Sequence, residues 1–312
     1  MFSPSALVIV SEAALALYPI LIKTVPVNLT TQLLARFLTF VVCAAPLAPT
    51  GSLGSLWSPG ALPRTLGLGG ITLAHVFTSY YAFSSLPAGV AMALFYTYPV
   101  FNLLGGWLGY GERISMFQGL LVAVAILGVI FLSMGTREDA DLDTERIQQS
   151  SLDGRAVPLA KGAEKPTIEW KGILAGLGAA LTETLMYFAV RTANQTNPFF
   201  STLELYSGAL VGMVGLLIAG KIGNIPELRL DNKPTNWLKM LLFNSVIGFA
   251  GYALRFFTIP QMSTLAFSML SLVGVIASFV FGLVFVSEVP NVMSLSGAAL
   301  IALAAAFTDK KG

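Results

Sequence analysis

The chain has 312 residues, 55% of them hydrophobic and only 11% charged, with a formal net charge of +2. Soluble domains carry about 25% charged residues, so this balance excludes an ordinary soluble fold. The net charge says little, because 14 of the 34 charged residues fall in one segment, 136–171. A single cysteine, Cys43, excludes an intrachain disulfide, and with a single histidine, His75, neither a thiolate nor a histidine metal centre is expected.

Taken in chain order, the apolar runs predict ten helices: 5–23, 31–49, 65–85, 88–109, 115–134, 170–191, 199–219, 237–256, 262–286 and 292–308. No Lys, Arg, Asp or Glu lies between Arg64 and Glu112, a gap that fits two spans of about 20 residues each. The first helix lacks the basic start of a secretory signal and is followed by many more spans, so it is expected to be retained. Leu86-Pro87-Ala88 and Gly111-Glu112-Arg113 are expected to be tight turns, whereas 135–169 and 220–236 are long hydrophilic connections.

The two halves of the chain resemble each other. A shift of 168 residues lays Leu15–Thr24, LALYPILIKT, onto Glu183–Thr192, ETLMYFAVRT, and pairs Arg36 with Glu204. Farther on, SSLPAGVAMAL aligns with FTIPQMSTLAF, and Glu112 has a counterpart in Glu288. Five spans end on the face opposite their start, so the copies are expected to be inverted, as in many carriers that alternate access around a central site. The expected fold is an all-α integral membrane protein with ten transmembrane helices in two inverted five-helix repeats, 1–134 and 170–312, joined by a hydrophilic linker, 135–169.

At LARF (34–37), at YYAFSSLPAGVAMALFYTYPVFNLLGGWLGYGERISMFQGLLVAVAILGVIFL (80–132) and at YALRFFTIPQMSTLAF (252–267), the sequence resembles the drug/metabolite transporter superfamily, in particular its EamA-like ten-helix branch. The resemblance covers nearly the whole chain and implies a carrier of small metabolites, often outward, that does not consume ATP. The second copy departs from the pattern. Helix 9 lacks the proline of helix 4, and SEVP replaces the usual acid–base pair. Sugar-phosphate and nucleotide-sugar antiporters of the same superfamily tend to keep Lys and Arg in helix 9; here that helix has none, which counts against phosphate esters.

Ionisable groups within spans mark candidate sites, since a charge at the bilayer centre costs about 2.5–3.5 kcal/mol on insertion scales. Glu183 lies near the middle of helix 6, beside Thr182, Thr184 and Tyr187, where a carboxylate can hold a proton and exchange it for a cationic or zwitterionic substrate. The alternative is a protonated Glu bonded to a neighbouring helix. Arg36 and Glu204, with opposite signs, would suit the carboxylate and amine of an amino acid at the two ends of the path, or serve as gate or packing residues. Glu12 is expected near the interface. His75, mid-span, is a cavity residue or a packing histidine. Tyr98 and Asn102 share a helical face and are deep, and Tyr187 and Asn244 add further polar groups; other tyrosines near span ends are expected in the interfacial belt.

Pro99 removes a hydrogen bond and frees a carbonyl near Phe95, so helix 4 is a natural hinge, and Pro19 could act likewise in helix 1. Gly105 and Gly109 are expected to form a close-packing face. Lys23, Arg191 and Arg255 are expected to snorkel from helix ends. Two N-x-T matches, at Asn28 and Asn194, carry no weight. Ten spans place both termini on one face, cytoplasmic by family expectation, yet that face would hold six Lys and Arg against eleven on the other, contrary to the positive-inside rule.

The expected function is secondary active transport of a small polar or amphipathic metabolite, an amino acid or related amine, with proton coupling through Glu183. A passive facilitator or channel and an antiporter of the sugar-phosphate type are the alternatives. An enzyme is not expected, because no catalytic cluster or phosphate loop is present. The expected partners are a small-molecule substrate, the lipid bilayer and protons, with no cofactor, metal or nucleic acid. The chain is expected in the cell membrane or an organelle membrane, as a monomer or homodimer.

Overall fold

The structure is a computed structural model that describes residues 3–85, 91, 94–128, 130–131, 134, 170–193, 197–231, 233–286 and 292–308. The expected linker 135–169, the Leu86-Pro87-Ala88 turn, Glu288 and Asn194 lie outside the described residues, as does the side chain of Lys23.

Among the described residues the regular elements are helices, with no strand. In chain order they are α1 (Pro4–Leu15), α2 (Tyr18–Thr24), α3 (Leu29–Ala44), a short α4 (Ser52–Leu56), α5 (Leu62–Ser85) and α6 (Tyr98–Tyr110). Then follow α7 (Met116–Gly128), α8 (Trp170–Thr192), α9 (Pro198–Ile222) and α10 (Pro234–Phe243). A π-turn at Asn244–Phe249 leads into α11 (Ala250–Thr258), and α12 (Thr264–Ser271), α13 (Val273–Val286) and α14 (Val292–Thr308) complete the set. Among the described residues, four stretches are long and apolar enough to cross a bilayer: Pro4–Ile22, Trp170–Thr192, Pro198–Ile222 and Pro234–Gln261.

The starts follow from local chemistry. Ser3, Asn28, Asn197 and Ser263 cap α1, α3, α9 and α12 with side-chain oxygens, and Pro198 and Pro234 occupy first positions where no amide hydrogen is needed. A large apolar core also buries charged side chains, Glu12, Arg36, His75, Glu183 and Arg255, while large apolar side chains such as Leu108, Met116, Phe285 and Val292 are exposed. Charges inside and apolar groups outside fit lipid, where no hydrophobic force drives apolar groups inward.

Three predicted helices are interrupted. Pro19 cannot donate to the carbonyl of Leu15, and the backbone turns at Ala16 and Leu17, between α1 and α2. Pro99 has the same effect, with the chain turning at Tyr96 and Thr97 before α6. The third break falls in helix 9, at Leu272, where there is no proline and where an uninterrupted helix was expected. There Gly274 receives the Tyr96 side chain so closely that a Cβ would lie 1.8 Å from its hydroxyl. The backbone tightens to i→i−3 bonds, Leu272 to Met269 and Val275 to Leu272.

Packing depends on close approaches. The backbones of Gly69 in α5 and Gly208 in α9 lie so near each other that a Cβ on Gly208 would meet the Thr65 carbonyl at 2.3 Å. Gly105 receives the Phe188 ring, but Gly109 faces open space, so the expected Gly105–Gly109 face is only half correct.

Candidate functional site: a buried charge cluster beside a central cavity

Helices α1, α2, α3, α5 and α11 line a small, partly open cavity. Glu12, Arg36, His75 and Arg255 reach it, with Pro19, Tyr18, Tyr80, Phe95, Tyr96 and Tyr252 among the other lining residues. The turn at Ala16 and Leu17 lies between Glu12 and Tyr18, so the break caused by Pro19 is part of the cavity wall.

Arg255 is the centre of the cluster. Its Nη1 lies 3.3 Å from Oε1 of Glu12 and its Nη2 lies 2.8 Å from Oε1 of Glu183, with all three side chains 1–2% exposed. The expectation that Arg255 snorkels to the headgroups is therefore wrong. It comes from a wholly buried face of α11, over the rings of Tyr98 and Phe267. Glu12, expected at the interface, is likewise buried, because α1 packs against α11 along its length.

Glu183 also approaches His75, whose Nε2 is 3.1 Å from Oε2. The other ring nitrogen, Nδ1, lies 3.2 Å from the carbonyl of Ala179, which can only accept. The Thr182 hydroxyl lies 3.3 Å from the same nitrogen, so the neutral ring can carry its proton on Nδ1, toward the carbonyl, or on Nε2, toward Glu183.

Arg36 occupies a different environment. Nη2 donates to the Tyr206 hydroxyl at 2.8 Å and Nη1 to that of Tyr80 at 3.4 Å, with Tyr18 and Tyr252 ring centroids 4.8 and 4.7 Å from its carbon. These buried tyrosines correct the expectation of an interfacial belt. Asn244 sits nearby in the π-turn, accepting from the Tyr18 hydroxyl at 2.8 Å. Gly248 in the same turn makes room for that hydroxyl.

Not every predicted site residue joins this group. Glu204 pairs with Arg64 at 2.6 Å, and no contact ties it to Arg36, so these two do not form complementary ends of one pocket. Tyr187 bonds to Arg191 at 3.0 Å. Tyr98 packs under Arg255, and its carbonyl, beside Pro99, accepts from the Thr184 hydroxyl at 3.3 Å. Asn102 is fully buried, with neither amide atom hydrogen-bonded among the described residues.

Arg191, also expected to snorkel, instead pairs with Glu112 and donates to Thr264. Gly111 makes this possible: at φ +62° it ends α6 in the left-handed conformation, and the Glu112 carboxylate folds back beside Gly106. The contact joins the C-terminal ends of α6 and α8 to the start of α12. The Arg64–Glu204 pair joins the early turns of α5 and α9, and α9 starts six residues after α8 ends. Both ion pairs therefore lie toward one end of the bundle. The cavity instead uses the C-terminal half of α5, through His75, Ser79, Tyr80 and Phe83.

Comparison with known proteins agrees with this architecture. Residues 3–134 match the model of the EamA-like transporter family. A protein described as an uncharacterized transporter of Synechocystis sp. (strain ATCC 27184 / PCC 6803 / Kazusa) is 23% identical over 172 residues, 53% of this chain and 44% of its own length. The chain thus spans less than half of the length of that relative. A crystal structure of a protein 20% identical superposes with a TM-score of 0.63, over 98% of this chain and 96% of the other, which establishes a shared fold. The long apolar helices and the match of residues 3–134 to a transporter family point to a multi-pass integral membrane protein.

Proposed function

We propose that the chain is a secondary carrier that alternates access around the cavity, moving an amino acid or related amine in exchange for protons. The observation that carries this reading is one guanidinium, Arg255, between two buried carboxylates, Glu12 and Glu183. With both carboxylates ionised the trio bears one surplus negative charge in a low-dielectric interior. Either a proton or a substrate ammonium would neutralise it. Competition between the two for one charge is the elementary basis of exchange.

Two further features support alternating access. Ion pairs Glu112–Arg191 and Arg64–Glu204 hold one end of the bundle, while the cavity lies toward the other. Helix α5 packs on α8 and α1 packs on α11, so the first helix of each half meets the third helix of the other. That is the pairing an inverted repeat would produce, and rocking one half against the other would exchange the closed and open ends.

The test is uptake of labelled amino acids into proteoliposomes under an imposed pH gradient. Glu183→Gln is expected to abolish acceleration by the gradient while leaving the protein folded and counter-exchange active. Undiminished proton-driven flux in that variant would reject the coupling.

A further inference from the structure

We infer that Arg36 is an anion subsite that receives the carboxylate of a zwitterionic solute, with Glu12 taking its ammonium. The inference rests on the carrier reading above. It changes the expected substrate-binding pair from Arg36 and Glu204 to two residues that line the same cavity.

Each of the other arginines drawn into the bundle has an acid: Arg255 has Glu12 and Glu183, Arg191 has Glu112, and Arg64 has Glu204. Arg36 is 2% exposed, and among the described residues no carboxylate lies within ion-pair distance of it. Its Nε is buried without a hydrogen-bond partner. The surrounding rings offset part of the cost through cation–π attraction, and two phenol oxygens accept from it, but neither supplies the missing negative charge. A guanidinium with a spare donor on a cavity wall matches a carboxylate in shape and sign.

Glu12 is the complement. It lines the same cavity, and neither carboxylate oxygen receives a hydrogen bond, although Arg255 is close by. With Glu12 and Glu183 both ionised, the Glu12–Arg255–Glu183 trio is one negative charge in excess while Arg36 is one positive charge in excess, and the cavity is then dipolar. A zwitterion cancels both charges at once. A phosphate dianion would require a second free cation, and Arg255 is already committed to two acids. Leu15, Phe83 and Phe95 supply an apolar wall for the remainder of the solute.

The experiment uses the full chain in proteoliposomes with three probes of similar shape: L-leucine, leucinamide, which lacks the carboxylate, and 4-methylpentanoate, which lacks the ammonium. On the unaltered protein, both analogues are expected to compete at least about tenfold more weakly than leucine. Arg36→Gln is expected to weaken leucine to the level of leucinamide without changing leucinamide itself, and Arg36→Lys to restore part of the loss. Glu12→Gln is expected to leave 4-methylpentanoate unchanged. Equal competition by leucine and leucinamide on the unaltered protein overturns the inference even if every variant misfolds. So does a parallel loss of both in Arg36→Gln, or stronger competition by glycerol 3-phosphate. Saturable flux of another solute with no binding of these three overturns the subsite and leaves the carrier standing, whereas no saturable flux across a metabolite panel removes both.

Discussion

The guanidinium of Arg255 lies 2.8 Å from the carboxylate of Glu183, and both side chains are almost completely shielded from solvent. Removing a buried partner leaves its counterpart uncompensated at a cost of about 3–5 kcal/mol. Arg255→Met should therefore lower the melting temperature of the detergent-solubilised protein strongly. Combining it with Glu12→Gln and Glu183→Gln should recover much of the loss, because the unpaired acids go with the base. A triple variant no more stable than the single one would contradict the assignment of the trio as one electrostatic unit.

Ion pairing at the end of the bundle away from the cavity makes a separate prediction. Glu112→Gln weakens the tie between the ends of α6 and α8, so that end should open more often. After replacing Cys43 with Ser and placing a cysteine at Ser268, labelling by a membrane-impermeant thiol reagent should be faster in the Glu112→Gln background. The exchange Glu112→Arg with Arg191→Glu should return labelling toward the original rate. Equal rates in all three would show that the pair does not gate access.

Close helix contact at Gly208 allows a stability test that leaves every charge in place. A methyl there would meet backbone, the Thr65 carbonyl at 2.3 Å, which cannot rotate away. Gly208→Ala should cost about 1–3 kcal/mol or more by forcing α5 and α9 apart. Gly212→Ala, whose Cβ would first meet the Leu73 side chain at 3.4 Å, should cost clearly less. Thermal unfolding of the two variants measures the difference.

At the helix 9 break the neighbouring group is a side chain, so the outcome should differ. Gly274→Ala displaces the Tyr96 hydroxyl. Trimming that hydroxyl with Tyr96→Phe should relieve part of the destabilisation, and this partial rescue is absent if the break at Leu272 has another origin.

Much of the candidate site was legible as isolated charges in apolar runs. Glu183, His75 and Arg36 stood out in this way. Glu12 and Arg255 gave the same signal, a lone charge flanked by charge-free stretches, yet Glu12 lies about two turns from its helix start and Arg255 at the end of its predicted helix, which made interfacial placement the natural reading. Distance along a helix does not say which face a residue occupies. Arg255 is nearly four-fifths of the way along Pro234–Gln261, and it is the packing of α11 against α1 that turns it inward.

The sequence by itself determined the solvent and the local grammar: an apolar chain with long charge-free runs must bury its few intramembrane charges away from lipid, cap its helices with Ser and Asn, and break them at Pro19 and Pro99. These follow from each residue's own chemistry and its nearest neighbours. Only the tertiary structure decided which charges meet. Arg255 with Glu12 spans 243 residues of sequence and Arg36 with Tyr206 spans 170, and the partners come together because glycine-lined helices approach closely. The helix 9 break belongs to the same class, since the side chain lying against Gly274 beside it is that of Tyr96, a residue far away in the chain.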